Sequence, residues 1–191
     1  MELTYAQAKA VVHGAEVGRA DVAGDPGGLT VDGVASHANP AAFADGVVTP
    51  DEVEASYRER WDAIRGDELA ALCPRTTLAL FDWYYHSGGP AVRALQRIVY
   101  PMIEQTTATV DGNLGPGTMG RVRAWLQRPG VLEHDRELAG RLLHARAEFL
   151  EGWLKGDPVL RQLSPTDREA LRIKFLGGFV RRLVGLAFRV A

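Results

Sequence analysis

Apolar residues along this chain recur mostly at the three-and-four spacing of helices, not at the alternation of strands. The first stretch, Thr4 to about Glu16, carries a thin stripe of Ala8, Val11, Val12 and Ala15, with Thr4 placed to cap it. Periodicity then stops. Residues 18–48 hold six Gly, two Pro and four Asp, with only short apolar runs such as Leu29-Thr30-Val31. That composition predicts a long loop with room for one small β-hairpin, and loops of that length in a compact domain tend to be functional. Thr49-Pro50-Asp51-Glu52 is a strong helix start, with a capping Thr, Pro at the first helical position and Glu at the capping-box position. Val53, Tyr57, Trp61 and Ile64 follow at helical spacing, and Gly66 is expected to end the run.

Further helices are predicted over 76–85 and 91–100, separated by Ser87-Gly88-Gly89-Pro90. After Pro101 the pattern resumes weakly to Glu104, and Asp111-Gly112-Asn113-Leu114-Gly115-Pro116 is a turn cluster. Thr118 is expected to cap a helix to Gln127, a long helix covers 136–154, and Ser164-Pro165-Thr166-Asp167 starts the last one. Seven helical segments around one irregular loop make a mainly α protein. In the last segment, Phe175, Leu176, Phe179, Val180, Leu183 and Leu186 cover most of the circumference. That width favours burial in the core over insertion into an anionic membrane, the reading its basic arc would otherwise suggest.

Composition narrows the function classes. At 191 residues, 46% hydrophobic and 24% charged, the chain can bury a core without staples. The single cysteine, Cys73, excludes an internal disulfide framework and a multi-cysteine metal site, and is expected to be a small buried hydrophobe. His13, His37, His134 and His144 share no metal-ligand spacing. No run of eighteen apolar residues occurs, and the first residues have neither a basic nor an apolar leader pattern, so cytoplasmic accumulation is expected. The net charge of −2 hides a split. Residues 1–88 carry 14 acidic against 6 basic residues, while 89–191 carry 10 against 16, and 19 of the 22 basic residues are Arg. Either the halves do different jobs on an anionic polymer, or they attract each other across an internal interface.

The end of the first helix and the loop after it contain Glu16, Asp25 and Thr30. Cleaving a glycosidic bond needs one protonated carboxyl for the leaving oxygen and a second to activate water or stabilise positive charge. A Glu at a helix end and an Asp in a Gly-rich loop could supply the two environments that drive their pKa values apart, with a Thr hydroxyl holding the water. Both the helix dipole and burial would raise the pKa of Glu16. Acidic residues in loops are more often plain solvated surface. In the run Phe81, Trp83, Tyr84, Tyr85, Phe81 reads as core, while Tyr85 and His86, next to the glycine turn, are the residues placed near a substrate.

Asp25-Pro26-Gly27-Gly28-Leu29-Thr30-Val31-Asp32-Gly33-Val34 resembles the DPGGxTxxGI signature of glycoside hydrolase family 108, the phage and bacterial N-acetylmuramidases. The family has its catalytic Glu nine positions earlier, where this chain has Glu16. Trp61 to Leu69 resembles the family's YWxxIRGDxL segment, and Phe81-Asp82 with Ser87-Gly88 resembles FDxAVNSG. Leu95-Gln96 and Val110 to Thr118 are similar to the LQ and VDGxxGPxT stretches of the associated peptidoglycan-binding region. Val17 and Arg19 stand where the family has Gly and Tyr, and His86 where it has Asn.

The resemblance implies a lysozyme-like helical fold with a muramidase region over 1–88 and a peptidoglycan-binding-like helical region over 89–191, packed as one unit. It implies cleavage of the β-1,4 bond between N-acetylmuramic acid and N-acetylglucosamine, as in an endolysin acting after release. Glu16 would be the general acid, Asp25 would orient water or stabilise the oxocarbenium ion, and Thr30 would assist. Tyr85 and His86 would touch the substrate, and Arg121, Arg123 and Arg128 would meet carboxylates of the stem peptides. No cofactor and no metal is required, the partner is bacterial peptidoglycan, not nucleic acid, and a monomer is expected. The alternative is a non-catalytic wall-binding or virion structural protein on the same fold.

Overall fold

The computed structural model describes residues 2–14, 18–21, 28–130, 133–156 and 185. Glu16, Asp25 and the helix expected from Ser164 onward lie outside the described residues. Within them the chain forms seven helices: α1 (Tyr5–His13), α2 (Pro50–Ala63), α3 (Gly66–Leu72), α4 (Pro74–Ser87), α5 (Gly89–Val99), α6 (Pro116–Leu126) and α7 (His134–Gly156). Short 3₁₀ turns occupy Pro40–Phe43 and Met102–Glu104. A small antiparallel sheet runs in the order β1 (Arg19–Ala20), β2 (Thr30–Val31), β3 (Val34–Ala35). The expected mainly helical, lysozyme-like class therefore holds, and the hairpin of the long loop gains a third strand.

The helix starts follow local chemistry. Thr4 and Thr49 each close a full capping box, with Gln7 and Glu52 reaching back to the cap backbone. Pro50, Pro74, Pro90 and Pro116 all sit in the first turn of a helix, where a missing N–H costs nothing. Gly88 (φ +60°, ψ −131°) separates α4 from α5.

Two sequence expectations need correction. Gly66 does not stop a helix; it starts α3. The break comes one residue earlier, where Arg65 takes a left-handed conformation (φ +50°). Gly66 is required by contact: a Cβ there would lie 2.2 Å from the buried Trp61 indole, whose N–H donates to Asp67 Oδ1 at 2.9 Å. The Trp-to-Asp segment is thus a self-packed corner between α2 and α3. Thr118 does not cap α6 either. The helix begins at Pro116 with Gly115 as its cap, and Thr118 is buried against Gln96.

Gln96 explains the turn cluster. Its side chain is 1% exposed. Its Nε2 donates to Asp111 Oδ1 (2.8 Å), Asn113 O (3.0 Å) and Thr118 Oγ1 (3.1 Å), and its Oε1 accepts from Gly112 N–H (2.9 Å). Gly112, at φ +86°, lies so close to Gly89 and Arg93 that a Cβ would collide with both.

Helix α4 is the central element, with nine of its fourteen residues buried. It lacks a side-chain cap of its own. Asp135, in the first turn of α7, supplies one: its carboxylate accepts from Arg75 N–H and Thr76 N–H (both 2.9 Å) and from the Thr76 hydroxyl (2.8 Å). Further along, Trp83 meets Phe149, and Asp82 pairs with Arg146, both side chains 2% exposed. Arg123 reaches back to Glu68. The acidic first half and basic second half thus neutralise each other at these contacts, and one continuous core runs from Tyr5 to Leu142. The three arginines expected to meet stem peptides are committed internally: Arg121 to Glu104, Arg123 to Glu68, and Arg128 to Glu137 and the face of Trp125.

Candidate active site

The chain on either side of Glu16 is held firmly. Gly14 ends α1, its N–H bonded to Ala10 O at 3.1 Å. Just before it, His13 sits half-buried, edge-on to the Tyr57 ring with centroids 5.5 Å apart. On the far side, Gly18 (φ +113°) is clamped by Asp32, which accepts from Gly18 N–H through Oδ1 and donates its own N–H to Gly18 O, both at 2.8 Å.

Asp32 can do this because it lies in a two-residue β2–β3 turn. Asp32 (φ +47°) and Gly33 (φ +83°) both take positive φ, the type I′ geometry that Asp-Gly favours. Its carbonyl accepts a 3.4 Å bond from the Tyr57 hydroxyl, which ties the turn to α2.

Thr30 lies in β2, paired with Ala20 on one side and Ala35 on the other. It is half-buried and its hydroxyl donates to Gly28 O at 3.4 Å. Gly28 needs its φ of +69° and has no room for a side chain, because a Cβ would lie 2.7 Å from Ser36 Oγ and 3.0 Å from the His37 ring. Gly28 and Gly33 of the signature are thus backbone requirements of this sheet.

Tyr85 is buried and stacks on Tyr57, with centroids 4.1 Å apart and planes within 17°. His86 is exposed and lies edge-on to Tyr85. Both line a groove of about 360 Å³ between the ends of α2 and α4 and the segment after β3, together with Asn39, Glu59, Arg60 and Tyr84. Thr30 is not on the groove wall. It connects to it through β2, β3 and Asn39, whose side-chain amide donates to Ala35 O at 2.9 Å. The structure therefore brings Tyr85 and His86 into one concave site and places Thr30 in the sheet beside it. Among the described residues no trio of His, Cys, Asp or Glu is arranged to hold a metal.

Sequence reasoning passed over Asp32, Tyr57, Asn39 and Arg60. The Asp-Gly dipeptide between Val31 and Val34 carried a legible hairpin signal. Nothing local pointed to the other three, because their roles depend on which helix face meets the loop.

Comparison with known proteins agrees with this geometry. Residues 9–88 match the family described as glycosyl hydrolase 108, and the motif resemblance is borne out over that stretch. The match begins in α1, spans the sheet and groove, and ends at Gly88, the break between α4 and α5. Among solved structures the chain is similar to Brucella abortus SagA, at 26% identity and a TM-score of 0.64, over 97% of this chain and 92% of that one. No curated protein matches the sequence.

Proposed function

We propose that the chain is an N-acetylmuramidase that cleaves the β-1,4 bond between N-acetylmuramic acid and N-acetylglucosamine in bacterial peptidoglycan. The observation that carries this reading is the family match over residues 9–88, which spans Glu16, Asp25, the sheet and the groove. The described geometry supports it in two ways. Gly14 and Gly18 are both anchored, so the chain enters and leaves the Glu16 segment at defined points. The adjoining groove offers tyrosine rings and polar groups of the kind that sugars use.

In this reading Glu16 protonates the leaving oxygen as general acid. Asp25 orients the attacking water or stabilises the oxocarbenium ion, and the Thr30 hydroxyl assists. Two carboxyl groups set around a water would give inversion at the anomeric carbon. Tyr85 and His86 form part of the sugar-binding wall.

The test is a purified-wall clearing assay with wild type and Glu16→Gln, with circular dichroism to confirm equal folding. Released fragments are reduced with borohydride and analysed by mass spectrometry. Clearing by wild type, loss of at least about a hundredfold in the variant, and reduced muramic acid at the new ends are the expected results. Reduced glucosamine ends would make the enzyme a glucosaminidase. Wall binding without clearing, equal in both proteins, would make it a binding module.

A further inference from the structure

Arg60 is unlike the arginines of the second half. Arg121, Arg123, Arg128 and Arg146 each face a carboxylate. Arg60 is half-buried on the groove wall, and its partners among the described residues are neutral. Nη1 donates to Ser56 O (2.9 Å) and Ser56 Oγ (2.7 Å), one helical turn back. The guanidinium carbon lies 4.9 Å from the centre of the Tyr85 ring. Nη2 makes a long 3.5 Å contact to Asn39 Oδ1. Arg takes a carboxylate with two parallel hydrogen bonds from one edge of its fork. A guanidinium fixed through Nη1, with its Nε–Nη2 edge this lightly engaged, is pre-organised for such an anion.

The substrate limits which anion that is. In the wall polymer the lactyl carboxyl of muramic acid is amide-linked to the stem peptide, so the glycan strand itself carries no carboxylate there. The anionic groups belong to the peptide. One alanine separates the lactyl group from a γ-linked glutamate whose α-carboxyl is left free, about 7 Å of extended chain. A peptide leaving a sugar held at Tyr85 and His86 therefore reaches Arg60 within its first residues. The groove's other charge fits the same chain. Glu59 lines it beside Arg60, and the residue after the glutamate is a diamino acid whose amine has the complementary sign. That same Glu59 charge disfavours a dianionic phosphate more than a single carboxylate.

We propose that Arg60 is a specificity-determining residue that binds a free carboxylate of the stem peptide, so that the groove reads peptide-bearing muramic acid and not bare glycan. This rests on the peptidoglycan reading above and sharpens it. The glutamate α-carboxylate and the peptide's C-terminal carboxylate share this chemistry.

Synthetic muramyl peptides separate the two and report binding alone, because they carry no glycosidic bond. N-acetylmuramyl-L-alanyl-γ-D-glutamyl-L-lysine is titrated into the full-length ¹⁵N-labelled protein. Three relatives follow: the glutamate α-amide, the C-terminal amide and the diamide. The parent should bind about tenfold more tightly than the diamide, as one charge-assisted bidentate contact allows. Whichever single amide loses that preference identifies the carboxylate that Arg60 takes. Shifts should centre on Asn39, Tyr84, His86 and Ser87. Arg60→Gln should bring the ratio of parent to diamide to about one, and Arg60→Lys should keep part of it. The comparison of parent with diamide on wild type stands even if a variant folds poorly. Equal binding of parent and diamide, binding of neither, or a preference that survives Arg60→Gln overturns the proposal. Wall clearing by wild type is read separately. Clearing without carboxylate preference removes the Arg60 site and leaves the enzyme; preference without clearing removes the enzyme and leaves the site.

Discussion

Replacing Gln96 by Leu keeps the approximate volume of the side chain and removes all four of its hydrogen bonds. Of the groups left behind, Asp111 and Asn113 are exposed and can turn to water. Gly112 and Thr118 are buried and cannot, so the Gly112 N–H and the Thr118 hydroxyl each lose their Gln96 partner in the interior. Stranding a buried polar group costs about 1–3 kcal/mol. Two such groups cost about 2–6 kcal/mol, and burying the leucine offsets part of that at about 25 cal/mol per Å². A net loss of about 3 kcal/mol is expected, measured by urea unfolding at pH 7. In a domain of this size that corresponds to a fall in Tm of about 6–12 °C.

The pH dependence gives a second readout. Gln96, and then the Asn113 backbone, hold the Asp111 carboxyl below its ordinary value. A carboxyl depressed on folding stabilises the protein above its unfolded pKa of about 3.9, and that contribution is lost as pH falls through the folded value. Without Gln96 the depression shrinks, so the gap between wild type and variant should narrow in acid. Gln96→Glu should behave in the opposite sense to a simple deletion. Its introduced carboxyl would be buried beside Asp111 and raised above about 4.3, so that variant should lose stability as pH rises from about 4.3 through the raised value. A Gln96→Leu loss below about 1 kcal/mol, or an unchanged gap in acid, would refute the hub role.

Gly66→Ala should lower stability by at least about 2 kcal/mol, because Trp61 is packed between Tyr5 and Phe81 and has no room to yield; an unchanged urea midpoint would contradict this. Asp135→Ala should cost about 1–2 kcal/mol as the cap of α4 is lost, with faster hydrogen exchange at the amides of Arg75 and Thr76. Burial, with Asp135 second, pushes the Cys73 thiol up to about 12, so native protein at pH 8 should resist Ellman's reagent and react only after denaturation.

What the sequence determined by itself was local. A Thr followed three residues later by Gln or Glu closes a capping box whatever lies elsewhere, so the starts of α1 and α2 were readable. The Gly-Gly-Pro break after Ser87 was readable for the same reason, since it acts through the backbone of its own residues. The signature around Asp25 was legible as a family mark, and the structure supplies the reason for several of its letters: Gly28, Asp32 and Gly33 are conformational requirements of one small sheet.

Tertiary structure decided everything that depends on which surfaces meet. Gly66 reads as a helix stop until the Trp61 ring is seen above it. Asp135 and α4 are about sixty residues apart in sequence, and no pattern near either announces the cap between them. Three second-half arginines read as free cations, yet each finds a carboxylate within the fold. Arg60 reads as one more charge on α2, and only the meeting of α2, α4 and the loop at Asn39 places it on the wall of a groove, where its partners among the described residues are Ser56, Asn39 and the Tyr85 ring. Local propensity acts within about one helical turn, whereas partners for buried polar and charged groups are found across the whole chain.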